Sequence, residues 1–323
     1  MNYSIGIDVG GTNTDIGLVR NDGVIISRRN LPTPAYADYH LYVSDIMDQI
    51  NEMLDENKLT FGDIQGIGMC APNGNFYTGC VEFAPNLKMK GLLEFENEFH
   101  KYVDMPVVLS NDANAAAYGE YIYGGAKGMQ HFIMFTLGTG VGSGIVIDGK
   151  LVHGSTGAAG ELSHAILIPH GRKCSCGREG CLEAYTSARG IVQTYCEIRR
   201  EPEWAARINE GKIPQSTPDD EVTSLMIGKA ANAGDPLAIE TYRRTADLLG
   251  LAMSNAVTFS APEAIFLFGG PAKVGDPLLI PLREAFDKYM LNIYKGKCRI
   301  LTSQLKDNEV AILGAAALIN LRQ

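Results

Sequence analysis

One segment in the middle of the chain concentrates the residue types that bind transition metals. It supplies one imidazole and three thiols, from His164, Cys174, Cys176 and Cys181. This donor set suits a closed, tetrahedral zinc site. Two glycines in the same loop, Gly177 and Gly180, allow the tight turns that would bring the thiols together. The spacing therefore predicts a zinc centre.

Two other interpretations of the cysteine cluster are weaker. A disulfide with one thiol left over would suit a secreted protein, and nothing else in the chain has that character. A DNA-binding zinc module would need a basic surface, whereas 28 Lys and Arg against 37 Asp and Glu leave a net charge of −9. The charge balance argues against a nucleic acid as partner.

The composition is that of an ordinary globular chain. Its 323 residues, 46% hydrophobic and 20% charged, are enough for about two domains. The cysteines outside the cluster lie in mostly apolar surroundings, as buried thiols do in a reducing compartment: Cys70, Cys80, Cys196 and Cys298. We therefore expect a cytoplasmic protein.

Neither a signal peptide nor a membrane span is expected. The first residues contain no basic region followed by an apolar core. The longest uncharged run, 128–147, is interrupted by glycine, threonine and serine. That run has the pattern of a strand and a turn and not of a spanning helix.

Two glycine-rich turns each lie between two predicted strands, and the two arrangements are similar. Residues 3–9 and 15–19 have strand character on either side of the turn 10–14. The run 131–147 repeats the plan of strand, glycine-threonine turn and strand. The repetition predicts an internally duplicated α/β chain with two lobes.

The remaining pattern supplies the other elements of an α/β fold. Further strands are predicted at 24–27, 64–69, 107–109 and 265–268. Helices are predicted at 39–56, at 236–258 and at 310–321, the last with an N-cap among residues 307–309. A charged, tryptophan-containing loop region, 199–220, receives no assignment.

The glycine-rich turns could hold a polyphosphate. In Asp8-x-Gly-Gly-Thr-x-Thr14 and Thr136-x-Gly-Thr-Gly-x-Gly-x-Gly144, small side chains leave backbone N–H groups and threonine hydroxyls accessible. Neither turn is a Walker loop, which needs a lysine after glycine, and one such hairpin alone is more often structural. One in each half, with a glycine pair after a third strand, favours a nucleotide held between two lobes. The candidate nucleotide contacts are Gly10, Gly11, Thr12, Asn13, Thr14, Gly138, Thr139, Gly140, Gly269 and Gly270.

The motifs together resemble a known family. The paired hairpins are similar to those of the actin, hexokinase and heat-shock chaperone ATPase superfamily. The run 137–144, then Gly160-Glu161-x-x-His164 and Cys-x-Cys-Gly-x-x-Gly-Cys-x-Glu183, closely resembles the ROK family of bacterial sugar kinases and sugar-responsive repressors. The resemblance extends from Asp8 to the last helix.

This resemblance implies a fold and a domain organisation. The fold would be α/β, with two ribonuclease-H-like lobes closing on ATP and a sugar. Residues 1–112 and 308–323 would form the N-terminal lobe, and residues 113–307 the C-terminal lobe with the zinc site and a helical subdomain. The family also suggests a homodimer.

The resemblance assigns the catalytic base to Asp112, which follows the predicted strand 107–109. A carboxylate here would take the proton of the acceptor hydroxyl during phosphoryl transfer. The competing interpretation is a helix cap, which is the commonest role of an aspartate after a strand.

The family's sugar-binding positions are matched by Asn111, Glu161, His164 and Glu183. Carboxylates, an amide and an imidazole can satisfy several vicinal hydroxyls at once. His164 would bind zinc through one ring nitrogen and face the sugar with the other, so the metal would be structural. Asn86 is a further candidate contact, although a Pro-Asn turn explains it nearly as well.

Asp8 is the candidate organiser of Mg²⁺, because a kinase needs a divalent ion on the phosphates. A solvent-facing aspartate at a strand end is the alternative. The chain departs from the family at Asn13, where lysine is common, and at Ser163, where glycine is usual. If residue 163 had a positive φ, serine would cost about 1–2 kcal/mol.

The expected activity is that of an ATP-dependent hexose kinase of carbohydrate metabolism and glycolysis, acting on the 6-hydroxyl of glucose. Kinases of N-acetylmannosamine, N-acetylglucosamine, fructose, mannose or allose remain open, because these sugars share the hydroxyls concerned. A sugar-responsive repressor would carry a helix-turn-helix domain before the first hairpin, and only seven residues precede Asp8. A chaperone-like ATPase would not need the sugar-binding set.

Overall fold

The computed structural model describes residues 3–84, 86–210 and 218–322. The chain divides into two compact units. The first comprises Met1–Gln130, Gly144–Gly160 and Ser303–Gln323, and the second comprises His131–Ser143 and Glu161–Thr302.

The first unit contains an alternation of strands and helices. Its strands are β1 (Tyr3–Val9), β2 (Thr14–Arg20), β3 (Ile25–Leu31), β4 (Ile64–Cys70), β5 (Gly74–Asn75), β6 (Cys80–Glu82), β7 (Leu92–Leu93) and β8 (Val107–Ser110). Its helices are α1 (Tyr39–Glu56), α2 (Phe95–Phe99) and α3 (Asp112–Tyr123). The last helix of the chain, α10 (Val310–Ala317), belongs to the same unit.

The main sheet of this unit has the strand order β3-β2-β1-β4-β8. The β1–β2–β3 ribbon is antiparallel, whereas β1, β4 and β8 run parallel. The carboxyl ends of these parallel strands therefore lie at one edge. Apolar residues of β1 form a core with the buried stripe of α1, which includes Val43, Ile46 and Ile50.

Glycines let α10 approach the sheet closely. A Cβ atom at Gly68 would lie 1.8 Å from the carbonyl oxygen of Ala315, and one at Gly6 would lie 2.2 Å from that of Ile312. Helix α3 meets α10 in the same way, because a Cβ at Gly119 would lie 2.8 Å from the Cα of Gly314. Backbone rather than side chains thus forms these contacts.

The second unit combines parallel strands with most of the helices. Its strands are β9 (Phe132–Leu137), the start of β10 (Val141–Ile147), β12 (Ala264–Phe268) and β13 (Arg299–Thr302). Its helices are α4 (Glu183–Thr186), α5 (Ala188–Arg200), α6 (Pro202–Asn209), α7 (Ser224–Asn232), α8 (Pro236–Ser260) and α9 (Asp276–Tyr289). With β11 (Lys150–Leu151), the second large sheet has the order β11-β10-β9-β12-β13, and β12 is parallel to both β9 and β13.

The structure confirms the predicted α/β class and the two strand–turn–strand hairpins. The structure goes beyond the predictions in one region and corrects them in another. Part of the unassigned 199–220 region is helical, since α6 spans Pro202–Asn209, while residues 211–217 lie outside the described part of the chain. The C-terminal helix is α-helical only to Ala317 and continues as a 3-10 helix, and Glu309 at its N-cap makes no side-chain capping bond.

The two units differ in extent from the two lobes that the resemblance implies, whose boundary was expected at residue 112. Helix α3 lies in the first unit because it packs on α10 through the Gly119–Gly314 contact. Residues 144–160 are also part of that unit.

None of the helices in the described part of the chain is both long enough and apolar enough to cross a membrane.

We predict that Gly68→Ala destabilises the first unit, because the added Cβ cannot coexist with the Ala315 carbonyl at 1.8 Å. Overpacking of this kind costs about 3 kcal/mol of unfolding free energy. Urea unfolding followed by circular dichroism measures the loss. Gly62→Ala is the control, because a Cβ there meets only the Thr60 hydroxyl at 3.3 Å. Equal stability of the two variants would contradict the proposed backbone packing.

Candidate active site

Strand register brings two carboxylates together in the first unit. Asp8 near the end of β1 pairs with Cys70 at the end of β4, and Cys70 pairs with Ser110 at the end of β8. Asp112 follows two residues after Ser110. Carboxylate oxygens of Asp8 and Asp112 and the Cys70 sulfur all lie within 4.8 Å of one another. The sheet edge therefore concentrates negative charge at one point.

Asp112 is free of the capping role. The N-cap of α3 is Asn111, whose Oδ1 accepts a hydrogen bond of 2.8 Å from the backbone N–H of Asn114. Asp112 occupies the first helical position, where the helix dipole favours an anion. The cap leaves the Asn111 amino group as the donor that could meet a ligand.

Both carboxyl groups hold protons more tightly than usual. Burial raises the pKa of Asp112 to about 7, and the negative charge of Asp8 adds to the increase. The Asp112 residue as a whole nevertheless keeps part of its surface exposed to solvent. Burial likewise raises the pKa of Asp8 to about 6, although a hydrogen bond from Cys70 opposes the shift. A carboxylate with a pKa near neutrality is suited to accept a proton.

The first glycine-rich turn closes through a hydrogen bond of 3.0 Å from the Gly10 N–H to the Asn13 carbonyl. Thr12 and Asn13 are exposed. Thr14 is fully buried, and its hydroxyl hydrogen-bonds to Thr33 and to Tyr42. The Thr14 hydroxyl therefore anchors the hairpin to the core, and a phosphate contact of Thr14 stays a prediction for its backbone alone.

Asn86 lies against this turn. A Cβ atom at Gly11 would be 3.1 Å from the Asn86 carbonyl oxygen and 3.3 Å from its Cβ. Asn86 is exposed, so its amide can reach a ligand beside the first hairpin. The predicted contacts Gly11 and Asn86 are thus neighbours in the first unit.

The second glycine-rich turn is tied to Glu183 within the second unit. Glu183 Oε2 accepts a hydrogen bond of 3.0 Å from the Val141 N–H, directly after the turn at 138–140. Glu183 Oε1 accepts a 2.5 Å hydrogen bond from the Ser175 hydroxyl. Since each carboxylate oxygen can accept twice, Glu183 keeps acceptor capacity for a ligand.

The four predicted zinc ligands converge in the second unit. One ligand atom from each residue, His164, Cys174, Cys176 and Cys181, lies within 4.8 Å of the other three. Gly177 and Gly180 have φ values of 84° and 81°, so the predicted tight turns are confirmed. A Cβ at Gly180 would also come within 1.8 Å of the Ile168 carbonyl oxygen.

The distances in this cluster fit a tetrahedral metal. The sulfurs of Cys176 and Cys181 are 3.7 Å apart, and the Cys174 sulfur is 3.6 Å from His164 Nδ1. Zinc–sulfur bonds of about 2.3 Å give a sulfur–sulfur edge of about 3.8 Å, whereas a disulfide would need about 2.05 Å. Hydrogen bonding from the Arg178 backbone lowers the pKa of Cys176 to about 6, which favours the thiolate that metals require.

The same histidine faces the predicted sugar residue Glu161. His164 Nε2 lies 3.9 Å from Glu161 Oε2, opposite the ring nitrogen that meets Cys174. Ser163 belongs to the 3-10 turn Leu162–His164 and does not have a positive φ. The serine therefore imposes no left-handed strain on the loop.

The glycine pair after β12 has two separate roles. A Cβ at Gly269 would lie 2.0 Å from the Leu137 carbonyl oxygen, so glycine allows the ends of β12 and β9 to pack closely. Gly270 has open space and lines a cavity of about 540 Å³ with Gly228, Asn232 and Tyr242. This volume is adequate for a nucleoside.

Two residues of these sites were not predicted. Cys70 reaches the carboxylates through strand register, and its position directly after a buried strand was a usable signal, since parallel strands end at the same edge. Ser175 binds Glu183 from between two metal-binding cysteines. A serine in a loop carries no such signal.

Comparison with known proteins agrees with these features. The model of the ROK family matches residues 4–322, and the chain belongs to this family. The glucokinase of Streptomyces coelicolor is 34% identical over 322 residues, with 98% of each chain covered. The xylose repressor of Caldicellulosiruptor bescii is 28% identical, with 98% of this chain and 77% of the repressor covered.

A solved structure gives the same fold. The ROK family glucokinase from Streptomyces griseus in complex with glucose and AMPPNP has a TM-score of 0.75 and 31% identity, with 98% of each chain covered. The predicted actin-like ATPase architecture is therefore confirmed as the fold class of this chain.

Proposed function

We propose that the protein is an ATP-dependent hexose kinase that phosphorylates the 6-hydroxyl of glucose. The observation that carries the proposal is the position of Asp112 beside Asp8 at the first residue of α3, where it does not cap the helix and where burial raises the pKa of its carboxyl group to about 7. The identity of 34% to a glucokinase over the full chain supports the same reaction.

Asp112 acts as general base in this proposal. The 6-hydroxyl oxygen attacks the γ-phosphorus of ATP, its proton passes to Asp112, and the bond to the leaving ADP breaks. General-base assistance of this kind contributes about 10²–10⁴ to the rate. The proton then leaves Asp112 to solvent, to which the residue is exposed.

We assign the sugar contacts to Asn86, Asn111, Glu161, His164 and Glu183. The two glutamates accept hydrogen bonds from hydroxyls, and the Asn111 amino group donates. This set suits a polyhydroxylated ring better than an apolar ligand.

The nucleotide contacts follow the two hairpins and the cavity at Gly270. The exposed turn residues Thr12, Asn13 and Thr139 offer backbone N–H groups to phosphate oxygens. The cavity in the second unit would take the adenosine. Asn13 offers a side-chain amide beside the same turn.

Magnesium and zinc have different duties here. Asp8, with Asp112 nearby, offers the oxygen donors that Mg²⁺ prefers, and the ion would neutralise charge on the phosphates when bound. The His164 and cysteine cluster fits a structural zinc ion, which would fix the imidazole ring. His164 then presents its other nitrogen toward Glu161.

We infer a cytoplasmic enzyme of glycolysis that works as a homodimer with small-molecule partners and no nucleic acid. Outside the His164 cluster, Cys70, Cys80 and Cys196 are buried, as thiols of a reducing compartment commonly are. Phe259 on α8 is 97% exposed, which suits a surface that a second copy covers.

We predict that glucose is the best sugar in a coupled assay of ADP release with ATP and Mg²⁺. A deoxyglucose that lacks one bound hydroxyl loses about 10²-fold in kcat/KM, because buried polar groups lose their partner. The panel includes fructose, mannose, allose, N-acetylmannosamine and N-acetylglucosamine. A tenfold higher kcat/KM for either N-acetylated sugar would replace glucose while retaining the kinase assignment.

We predict that Asp112→Asn lowers kcat by about 10²-fold or more with little change in glucose affinity. In the wild type, kcat/KM falls as pH decreases through about 7, because the protonated carboxyl cannot accept a proton. Steady-state kinetics across pH and glucose titration calorimetry measure both effects. A variant that retains a third of the wild-type kcat would refute the assignment.

We predict that purified protein contains about one zinc ion per chain. Cys176→Ser lowers the melting temperature and raises the KM for glucose, because the loop that carries His164 loses its metal. Elemental analysis, thermal unfolding and kinetics test this. Cys298→Ser, a cysteine outside the cluster, should leave all three unchanged. Absence of bound zinc from fresh protein would contradict the prediction.

A further inference from the structure

Cys70 occupies a position that the proposed reaction does not use. It ends β4, in register between Asp8 on β1 and Ser110 on β8. The residue is only 1% exposed. Its thiol donates toward Asp8 Oδ1 at 3.4 Å and toward the Ala311 carbonyl oxygen at 3.8 Å. The sulfur is therefore held against the carboxylate that we assign to Mg²⁺.

The three side chains form a mixed donor set. The Cys70 sulfur and one oxygen each from Asp8 and Asp112 lie within 4.8 Å of one another. Two carboxylates alone are typical of a site for a hard cation, which prefers oxygen ligands. A sulfur beside them adds the donor that selects borderline and soft cations such as Zn²⁺ and Cd²⁺.

We propose that Asp8, Cys70 and Asp112 form a second metal site, separate from the cysteine cluster, that binds thiophilic divalent cations in competition with Mg²⁺. Coordination breaks the Cys70 S–H bond and forms a metal–sulfur bond, and the proton goes to solvent. No oxidation or reduction is involved.

An occupied site inhibits phosphorylation, because the cation engages both the Mg²⁺-organising carboxylate and the general base. This consequence rests on the proposed kinase function, whereas the binding of the cation does not. Magnesium in excess relieves the inhibition only partly, since Mg²⁺ has little affinity for sulfur.

The binding test is a titration of zinc-loaded full-length protein with Cd²⁺, followed by thiolate-to-cadmium charge-transfer absorption. Cadmium that enters the cysteine cluster adds the same absorption to the spectra of wild type and of Cys70→Ser. We expect the wild-type signal to exceed that of Cys70→Ser by the contribution of one thiolate. Cys80→Ser is the matched control, a buried cysteine outside this donor set, and it should give the wild-type signal. Cys70→Ala replaces the serine variant if that variant does not fold.

The inhibition test measures, for wild type and each variant, the Cd²⁺ concentration that halves the kinase activity. The activity of each protein is first divided by its own activity in Mg²⁺ alone. We expect at least a tenfold increase in Cys70→Ser and none in Cys80→Ser. Equal charge-transfer signals in wild type and Cys70→Ser would overturn the proposal, as would equal inhibition. A thiolate signal from Cys70 in a protein without kinase activity would instead refute the proposed function and leave the metal site standing.

Discussion

The close backbone contact between α10 and the main sheet of the first unit is the constraint on which the positions of the Asp8 and Asp112 carboxyl groups depend. Helix α10 rests on β1 and β4 at Gly6 and Gly68, where no side chain fits. The same helix meets α3 through Gly119 and Gly314. Asp8 lies near the end of β1 and Asp112 begins α3, so one helix fixes the elements that carry both. Overpacking at these glycines would shift the elements as well as destabilise them.

Polar contacts, and not close backbone packing, hold the loop 161–183 of the second unit. Residues 161–183 contain short 3-10 and turn elements, and few of their side chains are buried. Such a segment gains little from apolar burial, so polar contacts and the metal-ligand cluster must define it. Glu183 joins the two parts of this arrangement, because it binds both Ser175 in the loop and the backbone of Val141 after the second hairpin. Disruption of the cluster therefore reaches the hairpin through Glu183.

Local pattern predicted much of the fold, and the failures are instructive. Helix α1 matches its predicted span because its buried residues recur at helical spacing. The convergence of His164 with Cys174, Cys176 and Cys181 was predicted because these residues lie close together in the sequence. Thr14 was assigned to phosphate from its motif, yet its hydroxyl is occupied by Thr33 and Tyr42, which are distant in sequence. Cys70 meets the carboxylates through strand register, which its own neighbours in the sequence reveal only once β1 and β4 are known to be adjacent and parallel.

The role of His164 follows from which of its nitrogens faces the cysteines. Nδ1 lies 3.6 Å from the Cys174 sulfur, and Nε2 lies 3.9 Å from Glu161. If Nδ1 is the metal ligand, the neutral imidazole carries its proton on Nε2 and can only donate there. Glu161 and Glu183 can only accept when ionised. With that ligation, the second unit would offer one donor at His164 and acceptors at Glu161 and Glu183. A hydroxyl group, which both donates and accepts, could satisfy such a set, whereas an ether or a carbonyl oxygen could not.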